Sequence, residues 1–168
     1  TTALATAGVG AELIRSAADL DVVIVPVGGG GLAAGVSAAV KWLAPNCRVY
    51  GVEPIGADSM SRSIKAGSPQ RLTNVDTIAD SLGAPMALPV SFDLCRRYLD
   101  GIAVVSDDAI REAMRRMHDR LGLAVEPACA ASLAALETSL VGEVIGKRVG
   151  LIFCGSNIDA SVWHQLVQ

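Results

Sequence analysis

The sequence predicts an α/β fold built on a parallel sheet with helices on both faces. Two observations carry that expectation. Segments 21–27 (DVVIVPV), 48–52 (RVYGV), 102–105 (IAVV) and 149–154 (VGLIFC) are short, nearly continuous apolar runs, as strands buried on both faces require. Between them lie segments whose apolar residues recur every three or four positions, the helical period. Alternation of the two is the pattern of strand–helix–strand units.

Taken in order, residues 11–18 read as the end of a helix leading into the first strand. After that strand, Leu32, Val36, Ala39, Val40 and Leu43 mark one helical face. The second strand closes on Glu53-Pro54, and residues 57–66 form a short helix stopped by Gly67-Ser68-Pro69. Residues 70–89 carry no clear period. Ser91 is the expected cap of a helix bearing Phe92, Cys95, Tyr98 and Leu99. Past the third strand, Ser106 caps the most regular helix, with Ile110, Met114, Met117 and Leu121 on one face and Gly122 as its stop. Pro127 opens a further helix through Cys129, Leu133, Leu136 and Leu140, and its alanine-rich first half permits close packing. Gly155-Ser156-Asn157 follows the fourth strand and leads into a last helix ending at Leu166.

A chain of 168 residues can bury one sizeable core. It is 51% apolar but only 4% aromatic, so that core is aliphatic. The net charge of −3, with both signs interleaved, leaves no cationic surface for nucleic acid or anionic lipid. Residues 22–40 are uncharged, yet Pro26 and four glycines interrupt any membrane helix there, and no signal-like start precedes them. Cys47, Cys95, Cys129 and Cys154 show no CxxC or metal-finger spacing, which points to a reduced, cytoplasmic chain. The chain begins at Thr1, without methionine, as a fragment or processed product does.

The chemistry centres on Gly28-Gly29-Gly30-Gly31-Leu32, where a buried strand hands over to a helix. The free amides of a first helical turn and the positive end of its dipole face whatever lies in such a turn. Glycine lets several amides converge on one anion. Four in succession cost about 0.5–1 kcal/mol each relative to alanine, so the stretch reads as a phosphate cup rather than a simple turn. A dinucleotide fingerprint competes, since Gly28-x-Gly30-x-x-Ala33 is followed by Glu53 after the next strand. In a parallel sheet ligands bind beyond the carboxyl ends of the strands. The pattern thus brings the glycines, Glu53 and Cys154-Gly155-Ser156-Asn157 to one edge.

The motifs VPVGGGGLAAG, GVEPIGADS, TIADSLGA, VEPACAASLAAL and FCGSN resemble, in that order, those of the fold-type-II pyridoxal-phosphate enzymes, the relatives of the tryptophan synthase β subunit. Within that group the chain is most similar to the serine/threonine dehydratases (ammonia-lyases), with serine racemase as a near cousin. The resemblance covers essentially the whole chain but only about the carboxyl-terminal half of a typical family member, and it implies a portion of that fold's large domain. It implies pyridoxal 5'-phosphate, with Gly28, Gly29, Gly30, Gly31 and the Leu32 amide on its phosphate. It also implies Cys154 against the pyridine nitrogen, where the family has serine or cysteine. Apart from the resemblance, Cys154 reads as a small buried apolar residue. A neutral thiol does not keep that nitrogen protonated, which favours loss of a β leaving group over amino transfer. Glu126 is implied near the cofactor and fits equally as a helix-leading acid. Glu53, Ala57, Ser59, Leu82 and Ala84 match positions that supply oxygens to a cation, three of them as backbone carbonyls. Ser59 stands where the racemases carry a second acid, which favours potassium over magnesium. Glu53 by itself fits a surface ion pair equally well.

What the resemblance implies for the intact protein is β-elimination from L-serine or L-threonine, a small amino-acid substrate, giving a 2-oxo acid and ammonia. Serine racemase and hydroxyaspartate dehydratase activities are the alternatives within the family. The family's Schiff-base lysine lies in an SxKxRG-like motif in the amino-terminal half, with the substrate-carboxylate loop. Lys41, Lys65 and Lys147 are the only lysines here, and none has that placement. No catalytic residue is therefore assigned within this chain. Residues 1–168 are expected to be the cofactor-holding carboxyl-terminal portion, inactive without a lysine-bearing amino-terminal half and homodimeric when intact. A noncatalytic subunit and an NAD-binding module are the readings from other classes.

Overall fold

The computed structural model describes residues 2–168. In chain order it contains α1 (Thr2–Ser16), β1 (Val22–Pro26), α2 (Gly31–Leu43), β2 (Arg48–Pro54), α3 (Ser59–Ala66), α4 (Pro89–Tyr98), β3 (Gly101–Val105), α5 (Asp107–Leu121), α6 (Pro127–Glu137), α7 (Val141–Val144), β4 (Val149–Leu151) and α8 (Ala160–Val167). The strands form one sheet in the order β3-β2-β1-β4, and every pair is parallel. The α/β fold with helices on both faces is thus the one the sequence pattern predicts.

β1 is paired on both sides, from Val22 opposite Arg48 to Pro26 opposite Val52, and from Val22 opposite Val149 to Ile24 opposite Leu151. All five of its residues are buried. Successive side chains leave a strand by opposite faces, and two cores result. Val22 and Ile24 pack with Met114 and Met117 of α5 and the alanines of α6. Val23, Val25 and Val27 pack with Ile14 of α1 and with Val36 and Val40 of α2. Cover on both sides is why these strands read as apolar runs rather than as alternations.

α1 lies close against α2 because Gly35 has no side chain. A Cβ there would run into the Ala3 carbonyl and the Thr6 hydroxyl. Thr6 in turn donates from Oγ1 to the Gly31 carbonyl at 3.0 Å, which fastens α1 to the first turn of α2. On the other face, Ser106 accepts a hydrogen bond from the Ala109 amide at 3.2 Å, and Gly122 ends α5 at a φ of +67°. Both limits of that helix agree with the sequence.

Several expectations need correction. The first helix fills Thr2–Ser16 and stops before residue 18. Ser91 is not a cap but a buried residue inside α4, which starts at Pro89 with Leu88 before it. Proline at the first helical position lacks an N–H that would be unpaired there anyway, and its φ is already helical. Leu121 is 56% exposed, because the last turn of α5 runs past the core. Leu140 is buried but lies beyond the end of α6, and α7 has no counterpart in the sequence pattern. β4 ends at Leu151 rather than Cys154. No helix among the described residues is long and apolar enough to cross a membrane.

Candidate functional site

Parallel pairing brings the carboxyl ends of all four strands to one edge, and the turn from β1 into α2 lies there. The Val27 amide still donates to the Val52 carbonyl at 2.8 Å. Beyond it, among the described residues, no amide of Gly28, Gly29, Gly30, Gly31 or Leu32 donates to a backbone carbonyl. Gly30 takes a φ of +85° as α2 begins, a conformation open to glycine and strained for other residues. The result is a run of five donors without backbone acceptors at the positive end of a 13-residue helix. That is an arrangement suited to a multiply charged anion.

The glycines are also enclosed. A Cβ on Gly28 would stand 3.1 Å from the Ser81 carbonyl oxygen and 3.2 Å from Leu82 Cα, and one on Gly29 would lie 3.8 Å from the Ala84 methyl. The Met60 methyl and Ser91 close over Gly30. Segment 77–84 is fixed in turn by Asp107 at the start of α5. Its carboxylate accepts from Thr77 Oγ1 at 2.7 Å and from the Ile78 amide at 2.9 Å.

Glu53 lies at the end of β2, one strand over, and is fully buried. Its two carboxylate oxygens accept from the amides of Met60 and Ser61, each at 2.8 Å, so it caps the first turn of α3. Burial raises its pKa to about 7, while those two amides pull it back down. The surface ion pair open to it in sequence is thereby excluded. Ser59 begins α3, and its buried hydroxyl has no partner among the described residues. Ala57 and Leu82 are buried, and Ala84 is half-buried. The Leu82 carbonyl accepts from the Ala84 amide at 2.9 Å.

Cys154 follows β4. The Ile152 amide donates to the Ile24 carbonyl at 3.0 Å, which keeps the chain beside β1 up to that point. Cys154 therefore leaves the sheet from the strand next to the one that carries the glycines. It is half-buried, and its thiol pKa is raised by burial first and then by the Glu126 carboxylate. Glu126 precedes α6, and its amide donates to the Gly155 carbonyl at 3.4 Å. Gly155 has a φ of +110°, and a Cβ on it would run into the Glu126 carboxylate.

A cleft of about 360 Å³ lies between the 78–81 segment, the start of α6 and the chain from Asn157 into α8, lined by Ile78, Asp80, Ser81, Glu126, Asn157 and Ile158 among others. Neither the glycine turn nor Cys154 lines it. Lys41, at the far end of α2, pairs with Asp100 at 2.7 Å and donates to the Cys47 carbonyl, at the opposite edge of the sheet. Ser81 and Asn157 were within reach of the sequence, since both lie in the motifs TIADSLGA and FCGSN. Met60 and Cys95, which pack against Gly30, lie in none of those motifs.

Comparison with known proteins shows the family. The family model for pyridoxal-phosphate dependent enzymes matches residues 1–155. The chain is 54% identical over 162 residues to a phenylserine dehydratase of Ralstonia pickettii, covering 96% of this chain and 50% of that protein. It is 37% identical to a serine racemase of Dictyostelium discoideum, covering 89% and 47% respectively. Superposed on the processed form of threonine deaminase isoform 2 from Solanum lycopersicum, it gives a TM-score of 0.91 at 34% identity, covering 96% of this chain and 47% of that one. The chain thus spans about half the length of these relatives. With the fold, the order of the motifs and the family model in agreement, this chain belongs to the pyridoxal-phosphate dependent enzymes of fold type II, as their carboxyl-terminal portion.

Proposed function

We propose that Gly28, Gly29, Gly30, Gly31 and Leu32 hold the cofactor phosphate and that Cys154 faces the pyridine nitrogen. In the intact protein this site serves the dehydration and deamination of a β-hydroxy amino acid to a 2-oxo acid and ammonia. The observation that carries the reading is the row of acceptor-free amides on the strand beside the one that leads to Cys154. A phosphate monoester is close to dianionic and takes several donors at once, which the acceptor-free amides of this turn would supply. Space for it depends on glycine, since a side chain at Gly28 or Gly30 meets neighbouring atoms.

When bound, pyridoxal phosphate supplies a sink for the electron pair released at the substrate Cα. The chain's own residues hold and orient. The glycine amides fix the charged end, and α2 adds its dipole. Burial and the Glu126 carboxylate keep the Cys154 thiol protonated, so it meets the ring nitrogen as a neutral group. That neutrality limits delocalisation into the ring and favours departure of a β-hydroxyl over amino transfer. Ser81, Glu126 and Asn157 line the neighbouring cleft, which in this reading takes the substrate. The Schiff-base lysine belongs to the amino-terminal half of the intact protein, and the chain alone is inactive.

Glu53, Ala57, Ser59, Leu82 and Ala84 form the cation site in this reading. The partnerless, buried Ser59 hydroxyl supports it. One carboxylate among neutral oxygens suits potassium. Serine and threonine are the substrates that the motifs favour. The 54% identity to a phenylserine dehydratase adds a β-aryl substrate to that range.

The test is an assay of the full-length protein with pyridoxal phosphate on L-serine, L-threonine and phenylserine, with and without potassium, following 2-oxo acid and ammonia. Turnover of at least one, quickened by potassium, is expected. Turnover of none, or saturable NAD binding without cofactor uptake, overturns the reading.

A further inference from the structure

The four cysteines are free, and Cys129 and Cys154 lie near each other. Cys129 is the third residue of α6 and is buried. Two hydrogen bonds fix α6 against the chain that leaves β4. The Glu126 amide donates to the Gly155 carbonyl at 3.4 Å, and the Ser132 hydroxyl donates to the Ile152 carbonyl at 3.2 Å. The helix covers about 9 Å between Glu126 and Ser132 at 1.5 Å per residue. Three residues from Ile152 to Gly155 reach at most about 10 Å. The two stretches therefore run antiparallel over nearly equal lengths. Cys129, midway along one, falls within about 1–2 Å of the level of Cys154 on the other. The Cys154 amide lies near enough to the Cys129 sulfur to pull its pKa down against the burial that raises it.

From this pairing we propose that Cys129 and Cys154 form a reversible intramolecular disulfide when the protein meets a peroxide, making the end of β4 a modification site. Cys154, the half-buried member, reacts first. Its sulfur attacks one peroxide oxygen, the O–O bond breaks, and the thiol becomes a sulfenic acid with release of water. The Cys129 sulfur then attacks the sulfenic sulfur, the S–OH bond breaks, and a second water leaves with the thiol proton. In total two thiols and one hydrogen peroxide give one disulfide and two waters. Burial raises the pKa of both thiols, that of Cys129 to about 11, so the reaction is slow and answers sustained rather than brief oxidation. A consequence for the cofactor rests on the reading of Cys154 given above. The disulfide turns that sulfur toward α6 and away from the ring nitrogen, and a bound ring shields it from peroxide.

The experiment treats the full-length protein with hydrogen peroxide, cofactor-free and cofactor-loaded, followed by peptide mapping without reduction. The expected result is a 129–154 cross-linked peptide with loss of about 2 Da, faster in the cofactor-free form and reversed by dithiothreitol. Cys129→Ala, the residue type on either side of Cys129 in α6, is expected to gain about 16 or 32 Da at Cys154 instead. Oxidation of Cys154 in the wild-type protein with no cross-link to Cys129 overturns the proposal, as does a cross-link to Cys47 or Cys95. Cofactor uptake, read by absorbance, separates the two readings. A cross-link that leaves uptake unchanged supports the disulfide and removes Cys154 from the cofactor site.

Discussion

The carbonyl oxygen of Ser81 stands 3.1 Å from the point where a side chain on Gly28 would begin. The first glycine of the turn and the segment above it therefore share one space. Gly28→Ala pushes the 80–82 turn outward and widens the glycine loop. It should cost about 1–3 kcal/mol of stability and lower cofactor affinity further. Thermal melts together with an absorbance titration of the full-length protein measure both. Unchanged affinity would remove Gly28 from the phosphate site.

Glu53 gives a pH signature. Its folded pKa, about 7, lies above the ordinary 4.5, so the folded state holds the proton more tightly than the unfolded chain does. The stabilisation this provides is complete below about pH 4.5 and lost as pH rises to about 7, of order 3 kcal/mol. Melts in potassium-free buffer should decline across that window, and Glu53→Gln should flatten the decline. Potassium should restore stability at and above pH 7 in the wild type and not in the variant. Parallel profiles for the two proteins would contradict the role given to this carboxyl.

Gly155 carries two constraints, a φ of +110° and the Glu126 carboxylate against its Cα. Gly155→Ala should destabilise by about 1–3 kcal/mol. The double variant with Glu126→Ala should recover only the steric part, leaving the backbone strain. Full recovery in urea denaturation would show that the backbone conformation costs nothing.

Asp107 acts at a distance from the cleft by holding Thr77 and Ile78. Asp107→Ala leaves the Ile78 amide and the Thr77 hydroxyl without their acceptor, a loss of about 1–3 kcal/mol. Hydrogen exchange should quicken over residues 77–84 ahead of the sheet, and cofactor affinity should fall with it. Exchange that quickens only in α5 would place the effect elsewhere.

Much of this was legible in the residues themselves. β1 and β2 announce their burial by unbroken apolar runs, and Ser106 and Gly122 mark the ends of α5 by side-chain and backbone chemistry that acts locally. Elements set by their neighbours were not legible. β4 contributes three residues to the sheet because α6 and the Glu126–Gly155 contact draw the chain away after Ile152. The start of α4 follows Pro89, whose ring geometry outweighed the hydroxyl of Ser91. At the site, the glycines stood out because nothing else explains four in a row. The engagement of Glu53 with α3 could not be seen, since it depends on how a helix seven residues later folds back on its own strand.

β1 also has a history that its position imposes. It precedes the other three strands of this sheet in the chain, whereas its partner on one side, β4, follows them all, and the Asp21 carboxylate that helps join the two accepts from an amide 127 positions later. Until β4 emerges, the VVIVP run has one bare edge, the kind of surface on which nascent chains stick to one another. The strand that leads into the glycine loop thus gains its second neighbour only after the rest of this sheet is made, and a closure over so long a separation slows folding.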